Sequence, residues 1–303
     1  MRHFIIDRRG LKLDYEQQCI LVRSADGLLQ SVPIRQLKQV ICLHGVDVST
    51  RLIGQLQKNG IDFVVLNQRY ANCSFSVVAD QVGLVARRCV QYNWQANLSQ
   101  RLPVAIAICK HKIKVCQRVT RSDLDENSFT LLLESMTEVV EDQQLRGFEG
   151  AGQRRMFEWM RQRLPPSIGF KTRQRRPPPD PVNSVLSFTY MILINEAIRQ
   201  CKAVALDTQL GFYHRVYSQR HSLACDLIEP LRPYVEEWAL KMFLKKLFVP
   251  EDFTRSSSGC LLHKKGRYKF YALYNEVCPV WQLRLKANAT WLARLIDKSL
   301  SAA

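Results

Sequence analysis

The sequence predicts an α+β protein, with a small β-rich N-terminal domain over residues 1–80 and a larger all-α, helical C-terminal domain over residues 81–303. Three observations carry that reading. Short β-prone runs bounded by turn residues crowd the N-terminal part. From about residue 84 apolar residues recur at helical spacing instead. A hydrophobic share of 47% belongs to a chain with a core rather than to a disordered one.

The opening "MRHFIIDRRG" has a short apolar core before Asp7 and Arg8, too brief for a secretory signal, and reads as the first strand. "CILVR" (Cys19–Arg23) is a second β-prone run, and "LKQVICLHG" a third that ends at a glycine turn. "STRLIGQLQKNG" reads as one short helix, with Ser49 as N-cap and Gly60 as the stop. "GIDFVVLN" (Gly60–Asn67) is a compact apolar strand, and "SFSVVA" (Ser74–Ala79) alternates as a hairpin partner would. A hinge is expected near residues 78–86.

Beyond it, Phe129, Leu132, Leu133, Met136, Val139 and Val140 line one helical face, with acids opposite. Leu186, Tyr190, Leu193 and Ala197 line another. "PYVEEWALKMFLKKLF" starts on a proline suited to the first helical turn and is apolar on much of its circumference, so a largely buried helix is expected. "PVWQLRLKANATWLARLIDKSL" is the closing helix. "LPPSIGFKTRQRRPPPDPVN" holds six of the twelve prolines and reads as a loop, with Asn183 as N-cap of the helix after it.

Forty-four Lys and Arg against 27 Asp and Glu give a net charge of +17, which points to a polyanionic partner, usually nucleic acid. The excess is uneven. Arg154, Arg155, Arg161, Arg163, Lys171, Arg173, Arg175 and Arg176 face one acid, Glu158, and form a candidate phosphate-contacting strip. Ten cysteines show no C-x-x-C spacing, and Cys42, Cys89, Cys109, Cys201 and Cys225 sit among apolar neighbours. That argues for buried thiols in a reduced, cytoplasmic protein and against a structural zinc site. No apolar run of 18 residues occurs, so no membrane partner is expected.

Within that basic chain, "GFYHRVYSQRHSLACDLIEPLRP" places His214 before two acids, Asp226 and Glu229, three apart in an apolar run. With Ser222 as N-cap the acids share one side of a helix that Pro230 ends, at the edge of a face made by Leu223, Ala224, Leu227 and Leu231. Arg232 or a metal ion are the candidate partners of those acids. Glu149 lies between Gly147 and Gly150, where an acidic helix is expected to end and a basic one to begin. Glu149, His214 and Glu229 together offer two hard oxygens and one imidazole, a donor set for Mg2+ or Mn2+.

"FEGAGQRRMFEWM", "PDPVNSVLSFTYMIL" and the His214 block, in that order, resemble the three sequence blocks of the CRISPR-associated protein one family of endonucleases and integrases. The third is the most specific, joining Gly211, Phe212, His214, Leu223, Asp226, Leu227, Glu229, Arg232 and Pro233. The stretch between His214 and Asp226 departs from the Gly- and Pro-rich turn of many members. The resemblance implies a metal-dependent integrase that inserts spacers into a CRISPR array, with Glu149, His214 and Glu229 as ligands of Mg2+ or Mn2+ and Asp226 assisting. It implies double-stranded DNA (prespacer and repeat) as substrate, a homodimer formed through the N-terminal domain, and assembly with a dimer of CRISPR-associated protein two. Arg154, Arg155, Arg173, Arg175, Arg176, Arg232, Lys241, Lys245 and Lys246 are the candidate DNA contacts. A non-catalytic DNA-binding scaffold, or a repair nuclease acting on branched DNA, are the alternatives.

Overall fold

The computed structural model describes residues 2–66, 74–77, 85–121, 127–218, 220–257 and 259–302. The chain divides into two compact units, Met1–Val82 and Gly83–Ala303. The hinge expected near 78–86 falls largely outside the described residues, as do Asn67 and the end of Ser74–Ala79.

The first unit holds two four-stranded sheets. β1 (Arg2–Ile6), β5 (Leu37–Cys42), β7 (Asp62–Val65) and β8 (Phe75–Val77) form one, parallel except for the β7–β8 pair. β4 (Gly27–Pro33), β3 (Cys19–Ser24), β2 (Lys12–Glu16) and β6 (Asp47–Val48) form the other, in that order. Period-two alternation sends Leu13, Ile20, Val22, Val40 and Cys42 inward, where Leu52 and Leu56 of α1 (Thr50–Lys58) join them in one core. Ser49 caps α1, accepting from Leu52 N at 3.2 Å, and Gly60 follows its end with φ of 65°.

The second unit is mostly helical: α2 (Val85–Ala96), α3 (Leu98–Thr120), α4 (Asn127–Ser135), α5 (Asp142–Arg163), α6 (Pro181–Ala203), α7 (Ser222–Ile228), α8 (Arg232–Leu244) and α9 (Lys264–Ala302). It also carries an antiparallel hairpin, β9 (Phe253–Ser256) with β10 (Gly259–Leu262), which an all-helical reading lacks. α3 packs against α4, α5 and α8 and so lies at the centre of the unit. Among the described residues no helix is long and apolar enough to cross a membrane.

Several expected boundaries move, each for a local reason. α4 stops at Ser135 rather than running to Val140, because the Ser135 and Thr137 hydroxyls bond back to Leu131 O and Glu134 O. The closing helix starts at Lys264, not Pro279. Phe270, Tyr274, Cys278, Trp281 and Leu285 keep a buried stripe in register across Pro279, and that packing outweighs the lost backbone bond. Asp180, not Asn183, caps α6 and accepts from Asn183 N at 2.9 Å. Of the thiols expected to be buried, Cys89 is exposed and Cys225 half-buried, since a helix has a solvent face even in an apolar run.

Candidate active site

Five segments of the helical unit bring charged side chains to one place. α3 supplies Lys112, α5 supplies Glu149, the 211–214 turn supplies Tyr213 and His214, and α7 supplies Asp226. The short 3-10 turn Glu229–Leu231, together with the start of α8, supplies Glu229 and Arg232.

Asp226 organises the turn. It is fully buried, and its Oδ2 accepts from the backbone N–H of Phe212 (2.6 Å) and Tyr213 (3.0 Å). Its Oδ1 accepts from His214 N (2.9 Å) and from His214 Nδ1 (2.7 Å). A carboxylate can only accept, so Nδ1 carries a proton, and the lone pair of a neutral ring would be the one at Nε2. The turn packs so closely on α7 that a Cβ on Gly211 would stand 2.7 Å from His214 O and 2.9 Å from Ser222 C. Only glycine fits there.

Glu149 and Glu229 converge on one cationic atom. Lys112 Nζ donates to Glu149 Oε1 and, at 2.7 Å, to Glu229 Oε2. The lysine side chain is only 1% exposed. Burial by itself would pull its pKa down, but the carboxylates of Glu229 and Glu149 outweigh that and hold it above the ordinary lysine value. Burial would likewise raise the Glu229 carboxyl, yet Arg232, Lys112 and His214 together bring it down to about 2. Arg232 Nε lies 2.9 Å from Glu229 Oε1, and its guanidinium stacks 4.9 Å from the Tyr190 ring centre. Tyr213 donates its hydroxyl to Glu149 Oε2 at 3.0 Å, and burial, then the Glu149 charge, push that phenol upward.

Among the described residues, no three His, Cys, Asp or Glu side chains stand together as a ready cation cage. The donors nevertheless fit a hard divalent ion. Two carboxylate oxygens already converge on one positive atom, and His214 Nε2 lies 3.6 Å from Glu229 Oε1, so oxygen and imidazole donors of the kind such an ion takes lie side by side.

Each residue singled out from sequence has a definite place. Glu149, His214, Asp226 and Glu229 come together. Glu149, however, is in the second turn of a continuous α5 and not at a helix N-terminus, because Gly147 and Gly150 are both absorbed into the helix. His221 rather than Ser222 is the N-cap of α7, since the Ser222 hydroxyl is directed to Arg215 O. Arg173 is a poor surface contact: it donates to Asn183 Oδ1 (2.9 Å) and Ser187 Oγ (3.0 Å), and burial lowers its pKa to about 10. Asn183 in turn donates to Thr172 O, so the pair pins the proline-rich segment to α6. Arg154, Arg175, Arg176, Lys171, Lys245 and Lys246 are exposed, Arg155 is half-buried, and Lys241 is exposed and paired with Glu237.

Lys112, Tyr213 and Glu236 were not singled out. Lys112 carried one signal: it falls on the buried stripe of α3 with Ile108, Cys109 and Cys116, where another apolar residue is expected. Glu236 is fully buried on α8 and accepts from Gln153 Nε2 at 3.0 Å and the Tyr190 hydroxyl at 3.2 Å.

A family model described as CRISPR associated protein Cas1 matches residues 4–276. The chain is 32% identical over 295 residues to the CRISPR-associated endonuclease Cas1 1 of Thermodesulfovibrio yellowstonii, with 91% of each chain covered. A solved Cas1 protein from Thermotoga maritima superposes with a TM-score of 0.87 at 19% identity over 97% of both chains. A casposase solved bound to its integration product superposes at 0.83 and 17% identity, over 97% of this chain and 91% of the other. At such identities the two structures speak for the fold alone.

Proposed function

This chain belongs to the CRISPR-associated Cas1 family, and from that premise we propose that it is a metal-dependent DNA endonuclease and integrase that inserts new spacers into a CRISPR array. The observation that carries the reading is the convergence of Glu149 and Glu229 on one positive atom, with His214 Nε2 beside them. The reaction is a transesterification. A DNA 3′-hydroxyl attacks a phosphodiester at the repeat edge and gives up its proton, its P–O bond forms as the repeat strand's P–O bond breaks, and the departing 3′-oxygen takes up a proton, so the step is neutral in bonds and protons.

Glu149, His214 and Glu229 would hold Mg2+ or Mn2+, which when bound polarises the phosphoryl oxygen and offsets charge on the attacking or leaving oxygen. The chain's own groups do the rest. Asp226 holds the His214 ring by its Nδ1 side, which leaves Nε2 as the nitrogen beside Glu229. Tyr213 orients Glu149 through its hydroxyl. Arg232 and Arg175 bind the scissile phosphate. Arg232's charge is the main cause lowering the Arg175 pKa, and two guanidiniums that repel each other are relieved by an anion. Arg154, Arg155, Arg176 and Lys245 track the flanking strands, and Lys241 joins them by giving up an exposed i,i+4 pair with Glu237, worth only about 0.3–0.5 kcal/mol. The assembly is a homodimer acting in the cytoplasm with a dimer of CRISPR-associated protein two on double-stranded DNA.

The test is joining of a labelled duplex to a repeat-bearing plasmid in Mg2+ or Mn2+. Glu149→Ala and His214→Ala should each lower the yield by more than about 100-fold. Full activity in either variant refutes the assignment.

A further inference from the structure

A buried ammonium between two carboxylates is an unusual use of a helix's apolar stripe. Lys112 sits between Cys109 and Cys116 on the interior face of α3. Its charge is matched by Glu149 and Glu229, which it holds from one side while Arg232 holds Glu229 from the other. Without it, two carboxylates with little access to water would face each other with no cation on the α3 side, and they would repel or take up a proton. The two carboxylates that converge on Lys112 are also those that would hold a divalent ion. An ammonium and a divalent ion between the same two carboxylates would stand within roughly 4 Å of each other and repel strongly.

We infer that Lys112 is a positioning residue that serves as the site's resident counter-ion, holding Glu149 and Glu229 in convergence and competing with the divalent ion for the same two carboxylates. This rests on reading Glu149, His214 and Glu229 as ligands. Metal binding therefore requires the ammonium to loosen its hold on the pair. Glu236 is among the charges that act on Lys112, and its Oε2 is buried with no hydrogen-bond partner. A shift of the ammonium toward Glu236 would keep its charge paired within the interior.

The experiment is Mn2+ titration of the full-length protein, followed by the electron-paramagnetic signal of free Mn2+, together with thermal melting with and without Mn2+. Lys112→Met should bind Mn2+ at least about 10-fold more tightly than wild type, because the competing cation is gone. Its metal-free melting temperature should fall by roughly 5–15 °C, and Mn2+ should recover more of it than wild type gains. Lys112→Gln, which keeps a donor but loses the charge, should show the same gain in affinity and serves if the methionine variant does not fold. Unchanged or weaker Mn2+ binding in the neutral variants overturns the inference. Glu149→Gln separates the two claims. If wild type binds Mn2+, Glu149→Gln loses it and Lys112 variants match wild type, only the counter-ion inference fails. If wild type and Glu149→Gln behave alike, the metal reading fails and takes the inference with it.

Discussion

Replacing Asp226 with asparagine removes one charge and almost no volume, so its cost isolates the hydrogen bonding of the 211–214 turn. The carboxylate accepts four bonds at 2.6–3.0 Å, two on each oxygen. An asparagine has one acceptor oxygen and one NH2 group. Whichever way its amide is turned, two of the four donors meet an NH2. Each buried donor left without an acceptor costs about 1–3 kcal/mol, so Asp226→Asn should destabilise the helical unit by about 2–6 kcal/mol. Near the middle of that range, ~4 kcal/mol corresponds to a melting shift of roughly 8–16 °C for a unit of this size. Urea unfolding read by tryptophan fluorescence is a suitable assay, since Trp159, Trp238 and Trp281 are all buried in this unit. Integration should fall with it, because His214 Nδ1 loses the partner that sets its tautomer. A variant within 1 kcal/mol of wild type would show that these four bonds do not hold the turn, and the account of His214 would go with them.

Two further changes test the surroundings. Gly211→Ala would drive a methyl into His214 O and Ser222 C, both backbone, so the turn must open; a stability loss of roughly 1–3 kcal/mol and a marked drop in joining rate are expected, and a variant that melts and joins like wild type would contradict the packing. Glu236→Gln probes pH. Burial raises the Glu236 carboxyl above its ordinary value, so the folded state holds that proton more tightly than the unfolded chain, and the associated stability is lost as pH rises through the folded pKa. The glutamine variant escapes that loss. Its melting temperature relative to wild type should improve between pH 4 and pH 8, and a constant difference across that range would contradict the shift.

The elements that could be read from sequence were those whose burial follows a simple period. β3, β5, β7 and α1 lie where alternation and capping put them, because one face of each meets a core and the other does not. The closing helix was misjudged because Pro279 looks like a start signal, whereas a stripe from Phe270 to Leu285 extends through it. Gly147 and Gly150 misled in the same way, suggesting a break where α5 is continuous. At the site, Glu149, His214, Asp226 and Glu229 were legible because acids and a histidine stand out against a basic chain. Lys112 was not, since one lysine among forty-four Lys and Arg has no distinguishing chemistry until its neighbours on α3 are known to be buried.

The two acids three residues apart do different work, and the reason lies in the shortness of the helix between them. α7 is a seven-residue helix, and beyond Ile228 the chain tightens to i→i+3 bonds, with Glu229 N donating to Asp226 O and Arg232 N to Glu229 O. Pro230 has no N–H to carry the α-helical ladder onward, so the tighter turn is where α7 hands over to α8. Asp226, before the break, faces the 211–214 backbone. Glu229, in the break, faces Lys112, Arg232 and His214. A longer regular helix would offer both carboxylates to one neighbour, and either the turn or the cations would go without a partner. The charge in "LACDLIEPL" is thus tolerated in an apolar run because each acid meets its own set of partners, Asp226 within α7 and Glu229 in the tighter turn that follows it.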